Sequence, residues 1–365
     1  STNERQQVMK NTLLLKYLII SLISIVYMSI LCPISISANE SFKNIGIQNG
    51  LAHTDANCVA QDSTGLIWIG TNSGLQNFDG YQLQTIDYYP SNQKIYESHN
   101  RITALECSKN RLWVGSDSGL TCLDLNTHLY VPYTIAGGDP AIFNQRILRL
   151  SIDNTNHHLW IRVENQLYVA KIEEATNTLY LLEWDNNSDL STYWTQQKPV
   201  IYEGKAWITT AKALIQLTII NQQVHIKRCY QLEELLKQKT EISALYASEG
   251  YLYLRSSQGC FRLPFSGNDL NTSDLSYIDF HQTNPNIPNN TIDTFIVGKD
   301  GTLWCGYFGG IFEVRQPFTE HRTINQYLEN NRNINFSQTR ISSLFIDKFN
   351  NLWISTINRG LYYRS

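Results

Sequence analysis

Residues 49–90, NGLAHTDANCVAQDSTGLIWIGTNSGLQNFDGYQLQTIDYYP, determine the fold of this chain. Apolar and polar residues alternate along several short segments, and Gly, Asn, Asp and Ser separate these segments. A period of two is typical of half-buried strands, and the separating residues are those that tight turns require. The stretch therefore predicts short antiparallel strands joined by turns.

The tryptophan near the middle of this stretch recurs along the whole chain. Six of the eight tryptophans follow one another at intervals of 45 to 51 residues, once a tyrosine is accepted in the single long gap. A repeat of this length indicates a solenoid, a propeller or another array. The repeat markers are Trp68, Trp113, Trp160, Trp207, Tyr253, Trp304 and Trp353.

Each marker has the same neighbourhood. An alternating run precedes it, as Ile102–Leu105 precedes Trp113, and a small residue followed by an apolar one comes after it, as in Gly119-Leu120. A fourth short run closes the unit, as in Leu129–Ile135 and Thr178–Trp184. Four antiparallel strands in roughly 47 residues match the size of a propeller blade. The sequence therefore predicts an all-β fold, a seven-bladed β-propeller.

The predicted ring closes through its two ends. The last unit ends after its third strand, whereas residues 41–47 form a strand-like segment without a unit of its own. We predict that this segment pairs with residues 360–363 and completes the last blade, because closure removes two exposed sheet edges. The predicted blades are 54–90, 99–135, 145–184, 198–230, 240–280, 290–324, and 339–365 together with 41–47.

The first 40 residues differ from the repeats. Basic Lys10 and Lys16 precede an apolar stretch, small residues follow, and the pattern predicts a secretory signal peptide over 9–38. Residues 1–8 precede the natural start at Met9 and form an upstream segment. The alternative is an uncleaved membrane anchor, since Leu13 to Leu31 nearly spans a bilayer. Either interpretation places the propeller, residues 41–365, outside the cytoplasm.

Composition and motifs exclude several functions. The net charge of −3 argues against a protein that coats nucleic acid, and 42% hydrophobic residues suit a folded domain. The chain contains no HExxH, CxxC, GxSxG, P-loop or Rossmann pattern. The six cysteines after residue 40 lie on predicted strands and are expected to be buried thiols. We therefore predict no metal, no cofactor and no catalytic residue in this segment.

At this point the repeat resembles a known family. Residues 49–90 follow the pattern of the two-component regulator propeller repeat, with its V-x-x-I-x-x-D, G-x-L/I-W-I-G-T and G-L-x-x-Y/F-D segments. The resemblance extends from about Thr54 to Arg364; it is strongest in the first unit and weakest in the third to fifth. It implies the periplasmic sensor region of hybrid two-component system histidine kinases of Bacteroides-type bacteria.

The resemblance also implies an architecture and a function. Members of the family carry two stacked propellers, a β-sandwich, an inner-membrane helix and a histidine kinase, so we expect this chain to be a fragment of a longer protein. They detect oligosaccharides released from glycans and switch on polysaccharide-utilisation genes. The implied partners are an oligosaccharide, shared or not with a second propeller, and the rest of the kinase. Formation of a homodimer is left open, and nucleic acid is not implied as a partner.

Ligands of propellers usually meet the loops at one end of the ring, and glycan binding uses aromatic platforms and polar forks. We therefore select residues in the segments that lead into first strands and in the turns between second and third strands. Trp194 is attractive because it lies outside the repeat register. The candidates are Trp194, Arg101, Arg146, Arg340, Asn100, Asn290, Tyr307, Arg162 and Arg359, with His53 and Asp117 beside them.

Three interpretations follow. The first is a non-catalytic sensor; the second is a secreted glycosidase or lyase, which requires two converging carboxylates. The third is a structural or protein-interaction propeller. Fold alone does not separate them. The arginines at first-strand starts (Arg101, Arg146 and Arg340) also suit a structural role along the central channel.

Overall fold

Short strands dominate the computed structural model, which describes residues 42–86, 101–164, 166–185, 198–267, 269–287, 292–327 and 336–364. Within these residues the strands assemble into seven sheets of four or five strands. Consecutive strands of a sheet pair antiparallel, because the turns between them are too short for a crossover. Seven such sheets are the blades of a propeller, and the prediction of an all-β seven-bladed ring is confirmed.

The first three blades follow one another along the chain after an initial strand, β1. Two short 3-10 helices, Ile47–Asn49 and Pro140–Asn144, accompany them. The strands are β1 (Lys43–Ile45); in blade 1, β2 (Ala56–Gln61), β3 (Ile67–Thr71), β4 (Gly74–Phe78) and β5 (Leu83–Thr85); in blade 2, β6 (Ile102–Ser108), β7 (Arg111–Ser116), β8 (Gly119–Asp124) and β9 (Leu129–Tyr130); then β10 (Thr134–Ala136); and in blade 3, β11 (Ile147–Asp153), β12 (His158–Val163), β13 (Leu167–Glu173) and β14 (Thr178–Leu181).

The remaining four blades complete the ring. The short helix α1 (Leu232–Leu236) lies between blades 4 and 5, and α2 (Phe280–Thr283) follows blade 5. The strands are β15 (Glu183–Trp184); in blade 4, β16 (Val200–Tyr202), β17 (Lys205–Thr209), β18 (Ala213–Ile220) and β19 (Gln223–Gln231); in blade 5, β20 (Ile242–Ser248), β21 (Tyr251–Ser256), β22 (Gly259–Ser266), β23 (Asp269–Leu270) and β24 (Ser276–Asp279); in blade 6, β25 (Ile292–Val297), β26 (Leu303–Tyr307), β27 (Gly310–Arg315) and β28 (Thr323–Tyr327); and in blade 7, β29 (Ile341–Ile346), β30 (Leu352–Thr356) and β31 (Leu361–Arg364).

The first strand of each blade is the innermost one. These strands contact one another in an unbroken circle: β2, β6, β11, β16, β20, β25, β29 and again β2. The second, third and fourth strands follow outward in each sheet. The first strands therefore surround the axis of the ring.

The seven repeat markers lie between blades. Trp68 of blade 1 packs in one cluster with Ile102 and Leu112 of blade 2, and Trp353 of blade 7 packs with Ile69 and Phe78 of blade 1. The same relation holds at every other blade boundary, so each marker belongs to the hydrophobic cluster that its blade shares with the next. No marker is more than 7% exposed. The repeat is therefore primarily a device for joining blades.

The ring closes as predicted. Strand β1 pairs antiparallel with β31, with Lys43 opposite Tyr363 and Ile45 opposite Leu361. Phe42, immediately before β1, is 1% exposed and makes edge contacts with the rings of Tyr327 and Phe336. The start of the described chain thus supplies the outermost strand of blade 7.

Two outer strands differ from the sequence prediction. Strand β10 overlaps the end of the run predicted as the fourth strand of blade 2, yet it pairs in parallel with β14 of blade 3. Glu183–Trp184, predicted as the end of blade 3, pairs in parallel with β19 of blade 4. In both places the connecting chain passes the outer edge of the next blade, whose unpaired N–H and C=O groups bind it. These two blades therefore have five strands.

The glycine two residues after the marker allows a close approach between blades. A Cβ atom at Gly70 would lie 2.6 Å from Cγ2 of Ile102 in the next first strand. A Cβ atom at Gly115 would likewise lie 2.7 Å from an isoleucine side chain of the next blade, and one at Gly306 would lie 2.6 Å from such a side chain. In the W-x-G pattern the tryptophan side chain therefore fills the boundary between two blades, and the glycine, which has no side chain, allows the blades to approach closely.

Candidate ligand-binding face

One end of the ring, here called the upper face, carries the segments that lead into first strands and the turns between second and third strands. Backbone hydrogen bonds join the two within a blade. Asn72 N donates to Asp55 O at 3.3 Å in blade 1, and Asp117 N donates to Arg101 O at 3.1 Å in blade 2. Ile357 N donates to the carbonyl of Arg340 at 3.0 Å in blade 7. The sequence-selected loops therefore form one surface.

Polar residues at the first-strand bulges link neighbouring blades just below this surface. The extra residue of the bulge turns its side chain toward the next blade, where the first residue of the inner strand offers a carbonyl oxygen. The bonds are Asn57 Nδ2 to Ile102 O at 2.9 Å, Thr103 Oγ1 to Ile147 O at 2.5 Å and Ser342 Oγ to Ala56 O at 2.5 Å. The base of the upper face is thereby fixed.

Asp55 connects three segments of the upper face. Its Oδ1 accepts from the backbone N of Asn358 in blade 7 at 2.8 Å, and its Oδ2 accepts from Asn72 Nδ2 at 2.7 Å. Asn72 Oδ1 in turn accepts from Asn57 Nδ2 at 2.9 Å. His53, a neighbour of the predicted site, accepts from Asp55 N through Nδ1 at 2.9 Å. This carboxylate therefore serves to hold the turns together.

Two of the predicted arginines bridge blades and keep a large exposed surface. Arg146 Nε lies 3.0 Å from Oδ1 of Asp117 across the boundary between blades 3 and 2. Arg340 Nε lies 3.1 Å from Oδ2 of Asp293 across the boundary between blades 7 and 6. The side chain of Arg340 is 64% exposed, so the pair adds little stability and its outer N–H groups face solvent. Both pairs are suited to hydrogen bonding with a ligand.

The other predicted residues occupy different environments. Arg101 is half-buried, and Arg359 is exposed in the turn of blade 7, where its carbonyl accepts from Asn44 Nδ2 at 2.9 Å. Arg162 is 3% exposed, at the position that holds glycine in blades 1, 2 and 6, and burial lowers its pKa. Tyr307 is 4% exposed; it packs near Phe312, and burial raises the pKa of its phenol.

The structure thus separates the predicted set. Arg340 and Arg359 share the upper face of blade 7, and Arg146 lies on blade 3, whereas the side chains of Arg162 and Tyr307 are enclosed. Trp194, Asn100 and Asn290 lie outside the described residues.

Sequence selection missed other polar and aromatic groups of this region. Lys198, just before blade 4, donates through Nζ to the carboxylate of Glu106 in the first strand of blade 2. Phe308 is 55% exposed in the turn of blade 6, directly after the selected Tyr307. The repeat register contains the signal for Phe308, because the fourth residue after the marker is aromatic in this unit alone.

The described residues hold no cluster of three or more His, Cys, Asp or Glu side chains that suits a metal ion. Their six cysteines are free thiols. Cys122, Cys260 and Cys305 are buried as expected, whereas Cys229 is exposed because it lies on the outer strand of blade 4. Among the same residues, no helix has the length and apolar character needed to cross a membrane.

Comparison with known proteins gives a family match for two of the seven units. Residues 50–73 and 335–358 match the two component regulator propeller. These segments contain the markers of blades 1 and 7, which are neighbours at the closure of the ring. A search of curated proteins gives no match.

Several solved structures share the fold. The extracellular domain of the putative hybrid two component system BT4673 from B. thetaiotaomicron is 19% identical, with a TM-score of 0.62 over 89% of this chain and 39% of that chain. The corresponding domain of BT3049 is 18% identical, with a TM-score of 0.63 over 89% and 42%. Virginiamycin B lyase from Staphylococcus aureus is 11% identical, with a TM-score of 0.59 over 88% and 97%.

The chain spans about two fifths of the length of the two B. thetaiotaomicron domains. At these identities the likeness establishes the propeller fold, which enzymes and sensors share. The sequence match in two adjacent blades is more specific. The chain is a seven-bladed propeller in which residues 50–73 and 335–358 match the two component regulator propeller.

Proposed function

We propose that this chain is an extracytoplasmic sensor propeller of a hybrid two-component system. It detects glycan-derived oligosaccharides, and the rest of the protein relays the signal through a histidine kinase to the transcription of polysaccharide-utilisation genes. The observation that carries the proposal is the sequence match at residues 50–73 and 335–358. The shared fold with extracellular domains of putative hybrid two component systems supports it.

The proposal includes a location and partners. The propeller lies in the periplasm and belongs to a protein attached to the inner membrane, which agrees with the export signal predicted over 9–38. The ligand is an oligosaccharide, held by this propeller alone or together with a second one. The other partner is the kinase portion of the same protein, and a homodimer is a further assembly to test.

The bonding of three carboxylates on the upper face favours binding over hydrolysis at these residues. A glycosidase needs two carboxyl groups, one as acid and one as base or nucleophile, about 5–9.5 Å apart and facing the substrate. Asp55 is held by two turns, and Asp117 and Asp293 are each paired with an arginine. Asp55, Asp117 and Asp293 therefore serve structure and recognition on this face.

Calorimetry on the longer native protein tests the proposal. Titration with cellohexaose, xylohexaose, mannohexaose, maltohexaose and oligogalacturonate should give saturable binding of one class. The same ligand should change the rate of kinase autophosphorylation in membranes. Cleavage of a glycan by the purified protein would support the enzyme interpretation instead, and the lack of binding across the panel would count against a glycan sensor.

A further inference from the structure

The turn of blade 6 departs from the other six turns of the upper face. The fourth residue after the marker is polar or aliphatic in every other blade, whereas here it is Phe308, which is 55% exposed. A phenylalanine that is more than half exposed contributes little burial to the fold, and turns ordinarily carry Gly, Asn, Asp or Ser for their backbone geometry. The residues at this position are Asn72, Asp117, Glu164, Ala211, Ser257, Phe308 and Ile357.

The backbone around Phe308 is firmly placed. Gly309 adopts a left-handed conformation with φ of 92°, which permits the tight turn between β26 and β27. Its N–H donates to the carbonyl of Thr339 in blade 7 at 2.8 Å. The turn that carries Phe308 is thereby joined to the segment that carries Arg340.

A carboxylate completes the same patch. Asp293 is the bulge residue of β25, and its neighbours Ile292 and Thr294 lie opposite Tyr307 and Gly306. It is therefore held beside the turn of its own blade. Its Oδ2 bonds Nε of Arg340 at 3.1 Å. Among the described residues, Asp293 is the one group that bonds the guanidinium of Arg340. The Nη groups of Arg340 are therefore available to a ligand.

We propose that Phe308, Arg340 and Asp293 form a subsite for one pyranose ring. This inference rests on the proposed function and assigns residues to it. The aromatic face stacks on the C–H face of the sugar, because the electron-rich ring attracts weakly positive hydrogens. The Nη groups of Arg340 donate to a sugar hydroxyl oxygen, and Oδ1 of Asp293 accepts from an adjacent hydroxyl.

Three variants of the longer native protein, titrated with the same oligosaccharides, test the subsite. Phe308→Ala should weaken binding about tenfold or more, and Phe308→Tyr should retain most of it. Arg340→Met should weaken binding by about tenfold, because methionine keeps an unbranched apolar side chain and removes the N–H donors of the guanidinium. Phe349→Ala is the matched control, since Phe349 is 68% exposed in the strand 1–2 turn of blade 7, at the opposite end of the ring.

The outcomes separate the subsite from the broader function. Loss of binding in Phe308→Ala, with unchanged binding in Phe349→Ala and unchanged unfolding curves in both, would support the subsite. Binding that is equal in wild type and Phe308→Ala would overturn the subsite and leave the glycan sensor in place. A wild-type protein that binds none of the oligosaccharides would overturn both.

Discussion

Blades 1 and 7 secure their marker tryptophan differently from blades 2 to 4. In blade 1 the indole Nε1 of Trp68 donates to Oδ2 of Asp62 at 3.0 Å, and in blade 7 Trp353 Nε1 donates to Asp347 Oδ2 at 2.9 Å. In blades 2, 3 and 4 the buried indole nitrogen has no hydrogen-bonding partner among the described residues; these are Trp113, Trp160 and Trp207. Packing of the ring is common to all five, and the carboxylate contact is not.

The residue six positions before the tryptophan distinguishes blades 1 and 7 from blades 2 to 4. Asp62 and Asp347 each stand six residues before the marker, whereas Asp153 stands seven residues before Trp160. The longer turn keeps the carboxylate of Asp153 on Thr155 N, Asn156 N and Asn156 Nδ2. An aspartate six residues before the marker therefore contacts the indole in blades 1 and 7, whereas blades 2 and 4 have Cys107 and Ile201 at this position.

Blades 1 and 7, in which an aspartate accepts a hydrogen bond from the marker indole, are also the two blades that meet at the closure of the ring. Between them Ser342 Oγ donates to Ala56 O at 2.5 Å, and Lys348 N donates to Gln61 Oε1 at 2.7 Å. The chain itself crosses this boundary from β1, the outer strand of blade 7, to β2, the inner strand of blade 1. The two repeats that match the family pattern thus lie on either side of the boundary next to the closing strand pair, β1 and β31.

Truncation of a marker should give the largest loss of stability. Both Trp353→Ala and Trp160→Ala should lower the free energy of unfolding by about 3–5 kcal/mol, because each leaves a cavity between blades. Trp353→Ala should cost about 1 kcal/mol more, since Asp347 also loses a hydrogen-bond donor. Equilibrium urea unfolding of the full chain measures both. Tyr81→Ala, at a residue 95% exposed, is the control and should change stability by less than about 0.5 kcal/mol.

Removal of the carboxylate should have a smaller effect. Asp347 accepts from Trp353 Nε1, Asn351 N and Nδ2, and Phe349 N, so Asp347→Ala leaves several donors without an acceptor. We expect a loss of about 1–3 kcal/mol. Ser108→Ala in blade 2 truncates a buried polar residue at the corresponding turn, five residues before its marker, and should cost less than about 1 kcal/mol. Equal losses in the two variants would show that the carboxylate contact adds nothing.

The sequence was sufficient for the fold because one position carried most of the packing. A tryptophan, or Tyr253 in blade 5, fills every blade boundary, so the period of this position predicts seven blades, and the incomplete last unit predicts closure by residues 41–47. The fifth strands β10 and β15 were not predictable from the repeat. They arise where the connection passes the edge of the next blade, and this depends on tertiary position.

The candidate face was only partly predictable. The repeat register locates the loops, and the side chains of Arg146 and Arg340 lie at the surface. Which side chain of a loop is exposed depends, however, on the direction in which each residue of the strand or turn points. Tyr307 is the last residue of β26 and turns into the core, whereas Phe308 is in the turn and faces solvent. A shift of one residue reverses the side of a sheet, so selection by loop alone chose the enclosed aromatic residue rather than the exposed one.

Protonation of His158 should have the smallest of these effects on stability, and it tests the comparison between blades by a change of pH. It stands two residues before Trp160, where blade 1 has Leu66, and burial lowers its pKa despite the opposing charge of Asp153. A lowered pKa in the folded state means that the unfolded chain binds a proton more readily. The contribution of the neutral imidazole to stability is therefore complete above the ordinary value of 6.5 and declines as pH falls below it.

His158→Leu introduces the residue of blade 1 and removes this titration. The free energy of unfolding of the wild type should fall more steeply than that of the variant between pH 7.5 and 5.5, because the remaining titratable groups are the same in both chains. Urea unfolding midpoints measured across this range test the difference. Curves that stay parallel through the whole range would mean that His158 protonates equally well in folded and unfolded chains, and that its burial has no electrostatic consequence.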